Sequence, residues 1–107
     1  MNREGSNASA EIYLIEPEVF GIKGVLSFAT VPQLLLSLSP KIRSGEVKCL
    51  SLENALRADS AGLALLLEYI KISQCFNSNL RYKNFPPQIA AAARVVGLDE
   101  ILISFVD

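Results

Sequence analysis

Apolar residues in this chain recur with a period of two in some stretches and near 3.6 in others, and the two kinds of stretch take turns along the sequence. Such alternation restricts the fold to a mixed sheet whose strands are joined by right-handed crossovers. Glu11 to Glu16 alternates Ile12 and Leu14 with Tyr13 and Ile15, and Pro17 stops it. Val19 to Phe28 resumes with strand formers around Gly21 and Gly24. Thr30, Pro32 and Gln33 then supply an N-cap, a first-turn proline and a capping box for a helix that buries Val31, Leu35, Leu38 and Ile42. Pro40 is expected to kink that helix or end its regular part nearby, and Ser44-Gly45 closes it. Val47 to Leu52 alternates little, as a central strand covered on both faces does.

Glu53 to Ala58 reads as a loop, and the helix after Asp59 is clear from Leu63 to Phe76, ending at Asn77-Ser78-Asn79. Leu80 to Phe85 reads as a strand. Pro86-Pro87 opens an alanine-rich helix that Gly97 terminates, and Ile101 to Val106 is a final strand or an apolar tail on the sheet. Length and composition agree with one domain: 107 residues, half of them apolar. Residues 1–10 read as a flexible polar tail and 11–107 as the domain.

A net charge of −1 without a basic block argues against nucleic acid as partner. The polar start MNREGSNASA lacks the apolar stretch of a signal peptide, and no run approaches the roughly 20 apolar residues that span a bilayer. A cytoplasmic protein without direct membrane insertion is therefore expected. The chain has no histidine, which removes Ser-His-Asp and Cys-His nucleophiles and HExxH zinc sites. No GxxxxGK[ST] or GxGxxG loop is present. Catalytic, cofactor-binding and metal-ligating residues are thus expected to be none. Cys49 and Cys75 lack metal or redox spacing and read as small buried hydrophobes.

The helix after Asp59 carries two apolar stripes on opposite sides of its cylinder. Leu63, Leu66, Leu67 and Ile70 form one; Leu65, Tyr69, Ile72 and Phe76 form the other. The second stripe either packs on neighbouring helices or contributes a partner-binding surface. At the start of the helix, Asp59 reads as an ordinary N-cap, followed by a hydroxyl at Ser60 and two small residues, Ala61 and Gly62. Ser60 is not needed as a cap. Phosphate there would bring close to −2 charge beside Asp59 and disrupt an apolar contact with a partner.

The segment ALRADSAGLALLLEYIKIS resembles the STAS domain, with Asp59, Ser60, Gly62 and Leu63 matching the D[ST]xGL signature. The following ALLL is similar to MlaB-type subunits of the phospholipid ABC transporter. GVLSFATVPQLL from Gly24 and NFPPQIAAAARVVGLDEIL from Asn84 extend the resemblance over about residues 11 to 103. The resemblance implies an α/β, STAS-like fold: a mixed four- to five-stranded sheet with three to four helices packed mainly on one face. It also implies a non-enzymatic adaptor that binds an MlaF-like ABC transporter ATPase, peripheral to the inner membrane, in a system that maintains outer-membrane lipid asymmetry. The implied interface comprises Phe28, Thr30, Asp59, Ser60, Ala61, Gly62, Ala64, Leu65, Glu68 and Tyr69. The alternative is an anti-sigma-factor antagonist switched by an anti-sigma factor kinase at Ser60. Surplus apolar surface also allows a homodimer when the partner is absent. The chain departs from the family at Ser51-Leu52-Glu53, where many relatives carry Asp-Leu-Ser, so acidity moves from position 51 to Glu53.

Overall fold

The computed structural model describes residues 9–107, so most of the expected N-terminal tail lies outside the described residues. β1 (Ala10–Glu16) and β2 (Val19–Leu26) form an antiparallel hairpin in which Ile12 pairs with Ile22 and Tyr13 with Gly21. The turn at Pro17-Glu18 holds Glu18 at a φ of 69°, and its carbonyl accepts from the amides of Lys48 and Cys49. That pair of bonds anchors the hairpin to the next strand. β3 (Cys49–Ser51) lies parallel to the first half of β2, and β4 (Ala55–Ala58) lies parallel to its second half. β5 (Arg81–Lys83) pairs with β3, giving a five-stranded sheet in the order β1-β2-β3-β5 with β4 beside β2.

Four helices complete the described residues: α1 (Val31–Arg43), α2 (Ser60–Cys75), α3 (Pro87–Val95) and α4 (Asp99–Ile103). They pack mainly on one face of this mixed sheet, as expected. Ile22, Leu26 and Leu50 rise from the sheet into that layer, against Leu34 and Leu38 of α1 and Leu63, Leu66 and Ile70 of α2. Each fully buried side chain of this size contributes about 1.5–3 kcal/mol relative to exposure.

Several expectations change. The stretch Glu53 to Ala58 is not all loop, because Ala55 to Ala58 extends beside β2 across a register shift at Gly24/Val25. Alanine and arginine carry little intrinsic strand preference, so pairing with β2 imposes the conformation. The buried face of α1 is Leu34, Leu38 and Ile42, and Val31 and Leu35 are only half-buried. Rotation toward Leu34 follows from the contact with α2, where the buried Tyr69 hydroxyl donates to the Leu34 carbonyl at 2.7 Å.

The Thr30 capping box does not form. Thr30 has helical backbone angles, φ −103° and ψ −18°, and its side chain makes no cap bond; an N-cap side chain normally reaches the helix amides from an extended residue. α1 runs past Pro40 and ends at Arg43, within a turn of it. Ile101 to Val106 is neither a full strand nor a loose tail. Asp99 and Glu100 favour the positive end of a short helix, α4, and only Val106 reaches the sheet, as an isolated parallel bridge to Tyr82. Both cysteines are free thiols, with Cys75 exposed and Cys49 half-buried, so neither is the fully buried hydrophobe expected. Burial raises the Cys49 thiol pKa above its ordinary value.

Candidate functional site

The loop after β2 and the start of α2 meet through one carboxylate. Asp59 Oδ1 accepts from the Gly62 amide at 2.9 Å, the N-cap bond the sequence predicts. Its other oxygen accepts from the Phe28 amide at 3.2 Å. The Asp59 amide donates to the Leu26 carbonyl at 3.0 Å, so the residue is tied to the end of β2 as well. Asp59 thus fixes the position of the helix start relative to the loop that carries Phe28.

Gly62 is required here by space. A Cβ at this position would run into the carbonyl and side chain of Leu26, so only glycine lets α2 approach β2 this closely. Ser60 stands one step inside the helix, exposed, beside half-buried Ala61. Phe28 is 77% exposed on the neighbouring loop. An aromatic ring left in water next to a hydroxyl and two small residues makes a surface that another protein can approach closely.

Below this corner, α1 and α2 form a shallow apolar groove lined by Val31, Leu35, Ala61, Ala64, Leu65 and Glu68. The exposed members of the expected interface are therefore Phe28, Asp59, Ser60, Ala64 and Glu68. Thr30, Gly62, Leu65 and Tyr69, of the same expected interface, are buried. The Thr30 hydroxyl donates to the Val25 carbonyl at 2.7 Å and accepts from the Ser27 amide at 3.0 Å, so it braces the loop from inside. Leu65 still forms the floor of the groove. Tyr69 ties α2 to α1, and burial drives its phenol pKa well above the ordinary 10. The second apolar stripe of α2 is thus divided, with Leu65 and Tyr69 in the core, Ile72 half-buried and Phe76 exposed.

Val31 and Leu35 escaped the expected interface because i, i+4 spacing with Leu38 and Ile42 also describes a core stripe. Their signal was the continuation of the apolar arc beyond what the sheet side needs. At the departure from the family pattern, Ser51 is buried, and its Oγ accepts from the Glu53 amide at 3.3 Å and the Asn84 side chain at 3.2 Å. Position 51 acts here as a bracket between two loops, while Glu53 is exposed. No group of three or more metal-ligating side chains occurs among the described residues, and no described helix is long and apolar enough to cross a membrane.

The family model described as "Mlab, STAS domain" matches residues 16–104, and the chain belongs to this MlaB-type STAS family. The fold is similar to that of the anti-sigma factor antagonist SpoIIAA in its unphosphorylated form, with a TM-score of 0.66, 19% identity, and coverage of 92% of this chain and 86% of that one. The phosphorylated form of SpoIIAA, described as a Bacillus cell fate determinant, gives a TM-score of 0.65 at 19% identity, covering 92% of this chain and 89% of that one. No curated protein matches the chain significantly. STAS domains are in general non-enzymatic regulatory modules that act through protein–protein contacts.

Proposed function

We propose that the chain is a non-enzymatic adaptor subunit that binds and regulates the cytoplasmic ATPase of an Mla-type phospholipid ABC transporter. The observation that carries this reading is the MlaB-type family match over residues 16–104. The exposed strip at Phe28, Ser60, Ala64 and Glu68 beside an apolar groove supplies a surface of the right kind. Through that ATPase the protein sits on the inner membrane without inserting into it, and its output is outer-membrane lipid asymmetry. The test is affinity purification of the full chain from membrane extracts of the native organism. An ABC transporter ATPase is expected to co-purify, and Ala64→Arg, which places a charged side chain in the groove, is expected to lower its recovery at least tenfold. Recovery of no ATPase, together with unchanged outer-membrane permeability in a Ser60→Glu strain, removes the proposal.

A second reading is supported by the likeness to SpoIIAA in two phosphorylation states. In it, the chain is an anti-sigma factor antagonist and Ser60 is the modified hydroxyl, which stands exposed at the first position of α2. Mass spectrometry of protein from cells separates the two. Phosphate at Ser60 with co-purification of a kinase-type anti-sigma factor favours this reading over the transporter.

A further inference from the structure

The sheet has three places where a strand could be left without a neighbour; the described residues cover one of them and touch a second at one point. Beside β5, the C-terminal residues lie along the edge: the Tyr82 amide donates to the Phe105 carbonyl at 2.8 Å and the Asp107 amide to the Tyr82 carbonyl at 2.7 Å. Arg81 adds an ion pair to Asp107 at 2.9 Å. Beside β4, the Gln88 side chain of α3 donates to the Leu56 carbonyl at 3.3 Å. β1 has no such cover among the described residues; it pairs with β2 alone.

β1 is also the edge with the most to offer. It is seven residues long, against three for β5 and four for β4. Leu14 and Ile15 on it are 63% and 44% exposed. Proteins blunt such edges with lysine, proline, a very short strand or a bulge; AEIYLIE has neither lysine nor proline, and its one bulge lies between Leu14 and Glu16, near its end. Along its helix side runs a groove whose walls include Ile12, Leu14, Phe20, Gln33, Ser37 and Lys41. A strand added to β1 would place every second side chain in that groove.

Charge selects the occupant. Glu11, Glu16 and Glu18 stand exposed on β1 and its turn, and none of them makes a salt bridge among the described residues. Glu11 pairs in register with Lys23, and Glu16 with Val19, on the same side of the sheet as Tyr13 over Gly21. A second copy of the chain is disfavoured, because it brings the same carboxylates to the same edge. With Tyr13 on the two-fold axis, Glu11 of each copy faces Glu16 of the other, and like charges directly opposite are destabilising.

We propose that the free edge of β1 binds an extended segment of a partner protein by strand addition, with basic residues on the open face and apolar residues toward α1. The bulge between Leu14 and Glu16 removes one rung from the ladder. Positions across from Glu11 and Glu16 are therefore four apart in the partner, and positions across from Ile12 and Leu14 fall between them. The recognised pattern is basic at i and i+4, and apolar at i+1 and i+3. This surface is separate from the α1/α2 groove, so either can fail without the other.

The test uses the full chain and a fluorescein-labelled peptide, Lys-Val-Thr-Val-Lys flanked by glycines, with the isomer Val-Val-Lys-Lys-Thr as control. Saturable binding of the first peptide is expected, at least tenfold tighter than of the isomer and weakened by salt. Amide hydrogen exchange on the wild-type chain is expected to slow along β1 and its partner residues in β2. Leu14→Lys and the pair Glu11→Lys/Glu16→Lys should each weaken binding at least tenfold, whereas Ala64→Arg should leave it unchanged. Equal binding of both peptides, or slowed exchange centred on the start of α2, overturns the proposal. So does a concentration-dependent dimer that Leu14→Lys abolishes, since the edge then serves a second copy.

Discussion

Thr30 and Asp59 both stand at the head of a long helix, in loops that touch each other, yet they are used differently. The Thr30 hydroxyl turns inward to the Val25 carbonyl and leaves the first turn of α1 without a side-chain cap. The Asp59 carboxylate caps α2 and reaches across to the Phe28 amide, so its helix start is held from outside. The first arrangement stiffens a loop from the core. The second fixes a surface while leaving the next residue, Ser60, exposed and free of structural duty. A helix start that carries a contact surface needs both: a rigid frame and a side chain that can change without unfolding it.

The comparison is broken most severely at Gly62, where α2 touches β2. Gly62→Ala would press a methyl group against the Leu26 carbonyl, and the helix must retreat, taking Asp59 with it. Overpacking of this kind costs about 3 kcal/mol. Urea denaturation is expected to show a lower midpoint with little change in slope, and partner binding should fall as well.

How much of this was open to sequence reading depends on where the information lies. The Asp59 cap, the position of α2 and the central β3 follow from local chemistry and period, and the structure has them all. Gly62 also stood out as a tiny residue at a helix start, although the reason, the proximity of the Leu26 backbone, is tertiary. The Thr30 box failed because its residue pattern is local while its hydroxyl answers to Val25, on the strand before it. β4 failed for a similar reason, since only the second half of β2 makes Ala55 to Ala58 extended. Of the residues expected at the interface, Phe28, Ser60 and Ala64 are exposed, but which flank of α2 faces α1 depends on the Tyr69 contact, which periodicity does not specify.

Tyr69 provides the next test, because it pins the two helices below their starts. Tyr69→Phe removes the phenolic donor that the Leu34 carbonyl accepts from besides its own helix and is expected to cost about 1 kcal/mol. The phenol also gives a pH signature. Its folded pKa is raised above 10, so the folded state holds the proton more tightly than the unfolded chain. That contribution is complete below pH 10 and is lost as pH climbs toward the raised value. Tyr82 is buried with its hydroxyl on the Leu66 carbonyl at 2.6 Å, and its pKa shifts the same way. The wild type should therefore lose stability steeply above pH 10, and Tyr69→Phe should flatten that loss without abolishing it.

At the two helix starts themselves, Thr30→Val keeps the shape of the side chain but strips the Val25 carbonyl and the Ser27 amide of their partner. A cost of about 1–2 kcal/mol is expected, with the apolar groove intact. Asp59→Ala removes a cap, at about 1 kcal/mol. The distinguishing readout is position rather than energy. Hydrogen exchange should quicken at the Phe28 and Gly62 amides in Asp59→Ala, and at the Ser27 amide in Thr30→Val. If both variants loosen the same amides, the two starts form one bracket and the contrast between them collapses.

The smallest effect on stability belongs to Ser60, and it is the most informative about function. Ser60→Ala removes an exposed hydroxyl that holds nothing in place, so its unfolding free energy should stay within about 0.5 kcal/mol of wild type. Ser60→Glu adds charge at the positive end of α2, where helix-dipole attraction offsets repulsion from Asp59, and it too should fold normally. Binding should separate the two variants sharply. A partner that docks an apolar surface on Phe28, Ala61 and Ala64 tolerates the alanine and rejects the carboxylate, because a buried charge without a counterion is expensive to desolvate. Calorimetric titration with the ATPase proposed as its partner is expected to give unchanged affinity for Ser60→Ala and at least a tenfold loss for Ser60→Glu. Equal affinity for all three forms would move the contact surface away from the start of α2, and the rigid frame that Asp59 builds there would then serve the fold alone.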